Sequence, residues 1–167
     1  MKTKYTVQFR RKRDQKTNYK KRLALLKSRK PRVVIRKQNK QIIIQLVAYE
    51  PGGDKILSST TSLELKKQGW KHGTKNLPAA YLTGLLFASK AAKVKKEAVL
   101  DMGLQTPRKG SVIFSALKGV IDGGLKVPAS EEIFPDESRI KGEHIASYLD
   151  KHKSITKDFE ELTKKLK

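Results

Sequence analysis

Seventeen of the first forty residues are lysine or arginine and one, Asp14, is acidic, so about +16 of charge sits on a quarter of the chain. On the surface such a segment repels itself unless a polyanion lies beside it. A phosphate backbone is the usual polyanion, and counterions released from it supply the affinity. The charges are also ordered along the chain. Arg10-Arg11-Lys12-Arg13 comes first, then Lys20-Lys21-Arg22 on a candidate helix, then Arg29-Lys30-Pro31-Arg32 running into a strand. The pattern points to a nucleic-acid binder, with RNA the favoured polyanion.

The 167 residues allow one domain with tails and a sizeable core. The net charge is +22, but nine of the sixteen acids lie past residue 130, so the two ends of the chain face different surroundings. There is no cysteine, which excludes disulfides and thiolate metal sites and fits a reducing cytosol. No apolar run approaches the roughly 20 residues of a membrane span. The start, Met1-Lys2-Thr3-Lys4-Tyr5, has charge with no apolar run behind it, so no signal peptide is expected. Binding to anionic lipid is disfavoured because no amphipathic apolar anchor accompanies the bases.

Residues 1–16 lack periodicity and are expected to form an extended arm, ordered on its partner. Asn18 is a helix cap, and Tyr19, Leu23 and Leu26 follow on one face, where they are expected to dock on protein. After Pro31 come three strand signals: Val33–Lys37, Ile42–Val47 and Lys55–Thr60, with Pro51-Gly52-Gly53-Asp54 as a hairpin turn. They predict an antiparallel meander. Thr61-Ser62-Leu63-Glu64 has the form of a capping box and Gly69 stops its helix. Pro78 opens a longer, largely buried helix, in which Gly84 is expected to permit close packing. A fourth strand, Glu97–Met102, and an amphipathic helix, Ser111–Gly124, complete the series. Beyond Pro128 the pattern predicts a surface helix over Arg139–Lys151 and a weakly packed polar helix over Ile155–Leu166. The order predicts an α/β two-layer sandwich with a mixed sheet, in which the three-strand meander precedes α-α-β-α. The domains expected are a basic arm (1–16), an α/β RNA-binding domain (17–128) and a helical C-terminal extension (129–167).

Catalytic chemistry finds little support. His72, His144 and His152 are far apart in sequence and show no ligand spacing, so no metal is expected. Gly69 to Lys75 is no phosphate loop, since its glycines are too close and Asn76 follows the lysine. A nuclease is the main enzyme alternative, because the element order also suits ribonuclease-H-like folds. Two-metal cleavage needs clustered carboxylates. The first strand offers Arg36 and Lys37 instead, and Glu97 and Asp101 stand roughly 13 Å apart along the fourth strand. Those two acids are read as caps or surface groups. No enzyme and no cofactor are expected.

Five ordered blocks carry a resemblance: RRKRDQKTNYKKRLALLKSRKPRVVIRKQNKQIIIQLVAY, GWKHGTKNLPAAYLTGLL, EAVLDMGLQTP, GSVIFSALKGVIDGGLKVP and FPDESRIKGEHIASYL. The chain from about Tyr5 to Leu149 resembles the L-eighteen family of large-subunit ribosomal proteins, in its archaeal branch, related to the eukaryotic protein that carries 5S ribosomal RNA. The resemblance implies a cytoplasmic, ribosome-bound protein. It would bind 5S ribosomal RNA at the central protuberance and touch the large ribosomal RNA and neighbouring large-subunit proteins. It also implies the small α/β sandwich shared with a small-subunit ribosomal protein. The RNA contacts it implies are Arg10, Arg11, Lys12 and Arg13 of the arm, Lys20, Lys21 and Arg22 of the first helix, and Arg29, Lys30 and Arg32. Arg36, Lys37 and Lys40 follow on the strand edge, with Trp70, Lys71, His72 and Lys75 in a loop. The charge pattern adds Lys16 and Lys27.

Arginine grips phosphate as a planar fork, and lysine acts as a mobile point charge. Trp70, Tyr5 and Phe9 are candidates for stacking on unpaired bases, each worth about 1–3 kcal/mol. Trp70 is equally well read as a core anchor for its loop, and Tyr19 is read as core. Gly69 and Gly73 are expected to let the loop approach phosphate, aided by the dipole of the helix starting near Pro78. The alternative of another class is a free-standing RNA chaperone with no fixed assembly.

Overall fold

Alternating burial builds the sheet. In strand β1 (Arg32–Lys37) Val33 and Ile35 face one side while Val34 and Arg36 face the other. Antiparallel β2 (Ile42–Ala48) pairs Val33 with Leu46 and Ile35 with Ile44, so four large apolar side chains share one face. β3 (Lys55–Thr61) returns antiparallel to β2 after a turn in which Gly53 adopts a φ of 148°. The short β4 (Val99–Asp101) joins the far side of β1 in parallel, placing Asp101 opposite Val34. The sheet order is β3-β2-β1-β4, a mixed sheet as expected.

The computed structural model describes residues 6–166; residues 1–5 of the expected arm, Tyr5 among them, and Lys167 lie outside the described residues. The α-helices among the described residues are α1 (Arg10–Arg13), α2 (Tyr19–Leu26), α3 (Glu64–Lys67), α4 (Leu77–Ala91), α5 (Val112–Asp122), α6 (Glu137–Lys141), α7 (Glu143–Tyr148) and α8 (Ile155–Leu166), with short 3-10 turns at Glu131–Ile133 and Asp150–His152. α4 and α5 cover the apolar face of the sheet. Phe87, Phe114, Leu117 and Val120 close a core there with Val33, Ile35, Ile44 and Leu46.

α4 is apolar nearly all round and is buried on both sides, as such a helix must be. Its outer side meets a second core of Trp70, Leu82, Leu85, Ile140, Ile155 and Phe159. A Cβ at Gly84 would lie 2.8 Å from the Val120 nitrogen, so the bare glycine is what lets α4 and α5 touch backbone to backbone.

Local structure departs from the expected pattern at both ends. Arg10–Arg13 form one helical turn within the arm, with every side chain exposed. The single surface helix expected over Arg139–Lys151 is divided into α6 and α7 by Gly142, at φ 85°. A Cβ there would approach Pro78 Cγ to 2.8 Å, so the break seats the extension on the start of α4. α8 does not pack weakly: Ile155, Phe159 and Leu162 are all buried against the second core. Three apolar residues at helical spacing suffice, because α4 offers an apolar outer face. The Thr61–Glu64 motif works as half a capping box, with the Thr61 N–H donating to Glu64 Oε1 at 2.9 Å.

Candidate nucleic-acid interface

The face of the sheet away from α4 and α5 carries Arg32, Val34, Arg36, Gln45 and Val47. With α2 and the loop after β4 it lines a cleft of about 800 Å³. α2 starts where Asn18 Oδ1 accepts the Lys21 N–H at 3.0 Å, as its sequence predicts. It does not dock as expected, however, since none of its residues is buried. Leu23 is 59% exposed, and Tyr19, read from sequence as core, is 37% exposed. Tyr19 instead meets the Phe9 ring, with centroids 5.4 Å apart.

Arg22 ties this helix to the domain. Its two Nη groups donate to both oxygens of Asp54 at 2.8 Å, a forked pair reaching from α2 to the β2–β3 turn. Arg32 then donates through Nη2 to Asp54 at 2.6 Å and through Nη1 to Asp101 at 2.7 Å. Arg36 donates to Asp101 Oδ1 at 3.0 Å and to the Asp101 backbone carbonyl at 2.7 Å, and the Gly103 N–H adds a further donor at 2.8 Å. The result is an alternating row: Arg22, Asp54, Arg32, Asp101, Arg36.

The Asp54 carboxyl is held below its usual range by the Arg22 hydrogen bond first, against burial, with Arg32 assisting. For Asp101 burial pushes upward, but Arg36, the Gly103 N–H and Arg32 outweigh it and the carboxyl titrates below its usual range. Among the described residues Arg32 Nε is buried without a partner, a donor whose desolvation costs about 1–3 kcal/mol. The row thus orients its guanidinium groups at some expense.

These placements revise several expectations. Arg32 is 3% exposed, so it belongs to the floor of the cleft rather than to an open contact surface. Asp101 is neither cap nor surface group but the buried partner of two arginines. Glu97 does lie at the surface, bonded to Lys30 Nζ at 2.8 Å.

Trp70 is 2% exposed and its indole N–H donates to the Gly73 carbonyl at 3.0 Å, so it anchors the loop. His72 is also buried, neither exposed nor an open contact. Its Nε2 lies 2.7 Å from Asp158 Oδ2, and its Nδ1 2.9 Å from Nδ1 of His152. Two histidines far apart in sequence therefore meet and join the loop to the C-terminal extension. Among the described residues no group of three or more His, Asp or Glu is arranged to hold a metal ion. Nor does the start of α4 stand open to phosphate: Leu77 and Pro78 are buried, and Asn76 Oδ1 caps the Ala79 N–H at 3.0 Å.

The remaining bases stay at the surface. Arg10, Arg11, Lys12, Arg13, Lys16, Lys20, Lys21, Lys27, Arg29, Lys30, Lys37, Lys40, Lys71 and Lys75 are all exposed. Arg11 Nε donates to Thr17 Oγ1 at 2.9 Å, turning the arm toward the cleft that both residues line. Arg29, just past α2, adopts a left-handed φ of 54°, uncommon for a residue with a Cβ. Thr74 Oγ1 donates to the Lys40 carbonyl at 2.8 Å, bringing the loop with Lys71 and Lys75 against the β1–β2 turn. Sequence reasoning missed the two organising aspartates. A signal was available for Asp101, an acid in a basic stretch between Lys96 and Arg108, but not for Asp54, which reads as an ordinary turn residue after Gly52-Gly53.

A family model described as ribosomal large subunit proteins 60S L5 and 50S L18 matches residues 3–98 and 92–130. The chain is 56% identical over 148 residues to large ribosomal subunit protein uL18 of Korarchaeum cryptofilum, covering 88% of this chain and 76% of that one. It is 49% identical over 164 residues to the protein of the same name from Methanoregula boonei, covering 98% and 94%. The same-named protein of Methanothrix thermoacetophila is 52% identical over 145 residues, 86% of each chain.

Proposed function

The chain belongs to the family of ribosomal large-subunit proteins L5 and L18, and on that premise we propose that it binds 5S ribosomal RNA and helps attach it to the large ribosomal RNA at the central protuberance. It is a structural constituent of the large ribosomal subunit, cytoplasmic with the ribosome, and not an enzyme. The observation that carries the RNA reading is the distribution of charge over the fold. The arm, α2 and the β1–β2 turn hold a dense set of exposed bases, while the opposite side of the sheet is closed by α4 and α5. Recognition rests on backbone shape and 2′-hydroxyls, since the major groove of A-form RNA hides its base edges. The extension from residue 129 packs on the domain through α6 and α8 and leaves Tyr148 and Leu149 exposed for ribosomal neighbours.

Titration of the protein with 5S ribosomal RNA and with a large-subunit RNA fragment of similar length tests the assignment. Affinity for 5S RNA is expected to exceed that for the fragment and to fall on the order of 10³-fold between 50 and 200 mM salt, as for about six neutralised phosphates. Removing residues 1–16 weakens binding and flattens the salt dependence. Equal affinity for both RNAs overturns the 5S assignment, and an unchanged curve after the deletion overturns the role of the arm.

A further inference from the structure

We propose that Asp54 and Asp101 are positioning residues, which, with the buried Arg32 between them, hold Arg22 and Arg36 as a preset pair of guanidinium groups for the phosphate backbone of ribosomal RNA. The proposal rests on the ribosomal-RNA reading above and names two acids as part of a binding surface whose other charged residues are bases.

The chain has few acids to spend: Asp54 is one of only three before residue 64. It nevertheless sits between two arginines, as Asp101 does. Three guanidinium groups this close would repel and spread if left to themselves, because like charges in a partly buried site are weakly screened. Interposed carboxylates reverse that and fix the spacing. The arrangement does not bury the whole row. The side chains of Arg22 and Arg36 stay 30% and 37% exposed while pinned, and both line the cleft. Arg22 engages Asp54 through its two Nη groups, and among the described residues its Nε edge makes no hydrogen bond. A planar fork held on one edge presents the other without further loss of rotamer freedom, which is how preorganisation raises affinity.

The seat of Arg36 is equally specific. Gly103, at φ 65°, lies under its guanidinium, where a Cβ would come within 2.9 Å of Cζ. Gly103 is thus required both for its left-handed backbone and for the room it leaves Arg36.

The decisive variant is Asp54→Asn, which adds one unit of positive charge to the protein. If charge alone set affinity, RNA binding would tighten. Positioning predicts the reverse: 5S RNA affinity about tenfold weaker, as for loss of a well-placed charged hydrogen bond. It also predicts a salt slope shallower by about 0.7–0.9, one phosphate contact. Arg22→Gln should then cost little further in the Asp54→Asn background, and much less than it costs in the parent, because the two changes remove one unit. Gly103→Ala leaves both carboxylates in place and displaces Arg36, and should lower affinity and slope in the same way.

Circular dichroism and melting temperature accompany each titration. Binding equal to or tighter than wild type in Asp54→Asn overturns the proposal. So does weaker binding with an unchanged salt slope, which marks a purely structural ion pair. Failure of the 5S assignment is distinguishable, because it appears in the wild-type preference between RNAs, whereas the comparison among variants reads on whichever ribosomal RNA binds.

Discussion

Trp70 and His72 stand in a segment flanked by Lys71 and Lys75, and their local sequence suits a stacking and contacting loop. In the fold both side chains turn inward while the two lysines turn out. An indole with a free N–H is too large and apolar to leave in water once a core lies within reach, and the Gly73 carbonyl satisfies its one polar group. Trp70→Ala is therefore expected to cost about 3–5 kcal/mol of stability, and Trp70→Phe distinctly less, measured by urea unfolding. The RNA affinity of the folded fraction should be unaltered in both. Weaker RNA binding by Trp70→Ala at full stability would return the residue to the interface. Local spacing can say that a residue is aromatic or basic but not which way it points.

At the level of elements, periodicity served well where one face is plainly apolar and less well where the partner surface had to be known. β1, β2, β3, α4 and α5 lie close to the residues their patterns predict, because strands of alternating burial and long apolar helices leave few alternatives. α2 and α8 exchanged roles. α2 has apolar residues at helical spacing, yet it is held by an ion pair with its residues unburied. α8, mostly polar, buries Ile155, Phe159 and Leu162 because the outer face of α4 is there to receive them. Phe159, whose ring centroid lies 5.5 Å from that of Tyr81, offers the test. Phe159→Ala should lower stability by about 3–5 kcal/mol, seen as a lower melting temperature, with 5S RNA binding retained below the transition. An unchanged melting temperature would restore the weakly packed helix that the sequence suggested.

For the molecule as a whole, the balance of charge makes stability and binding respond to solution conditions together. Asp54 and Asp101 both titrate below their usual range in the folded state, so they favour folding wherever they are ionised. Their contribution is fully present above the unfolded-state value of about 3.9 and is lost as pH falls through it toward the lowered folded values. Melting temperature should therefore decline between about pH 5 and pH 2, and the decline should be shallower in Asp54→Asn. Parallel pH profiles for the two proteins would exclude Asp54 from the effect.

The sequence by itself determined that this chain is a basic α/β protein with its cations crowded at one end, and five ordered blocks were enough to identify its family. Those properties follow from charge and from the periods of 2 and 3.6, which are written along the chain. Only the tertiary structure decided which bases remain free. Arg22 meets Asp54, Arg32 meets Asp101 and His72 meets His152 across 32, 69 and 80 residues respectively. Such pairings are set by how strands register and helices pack, and no spacing within one segment records them.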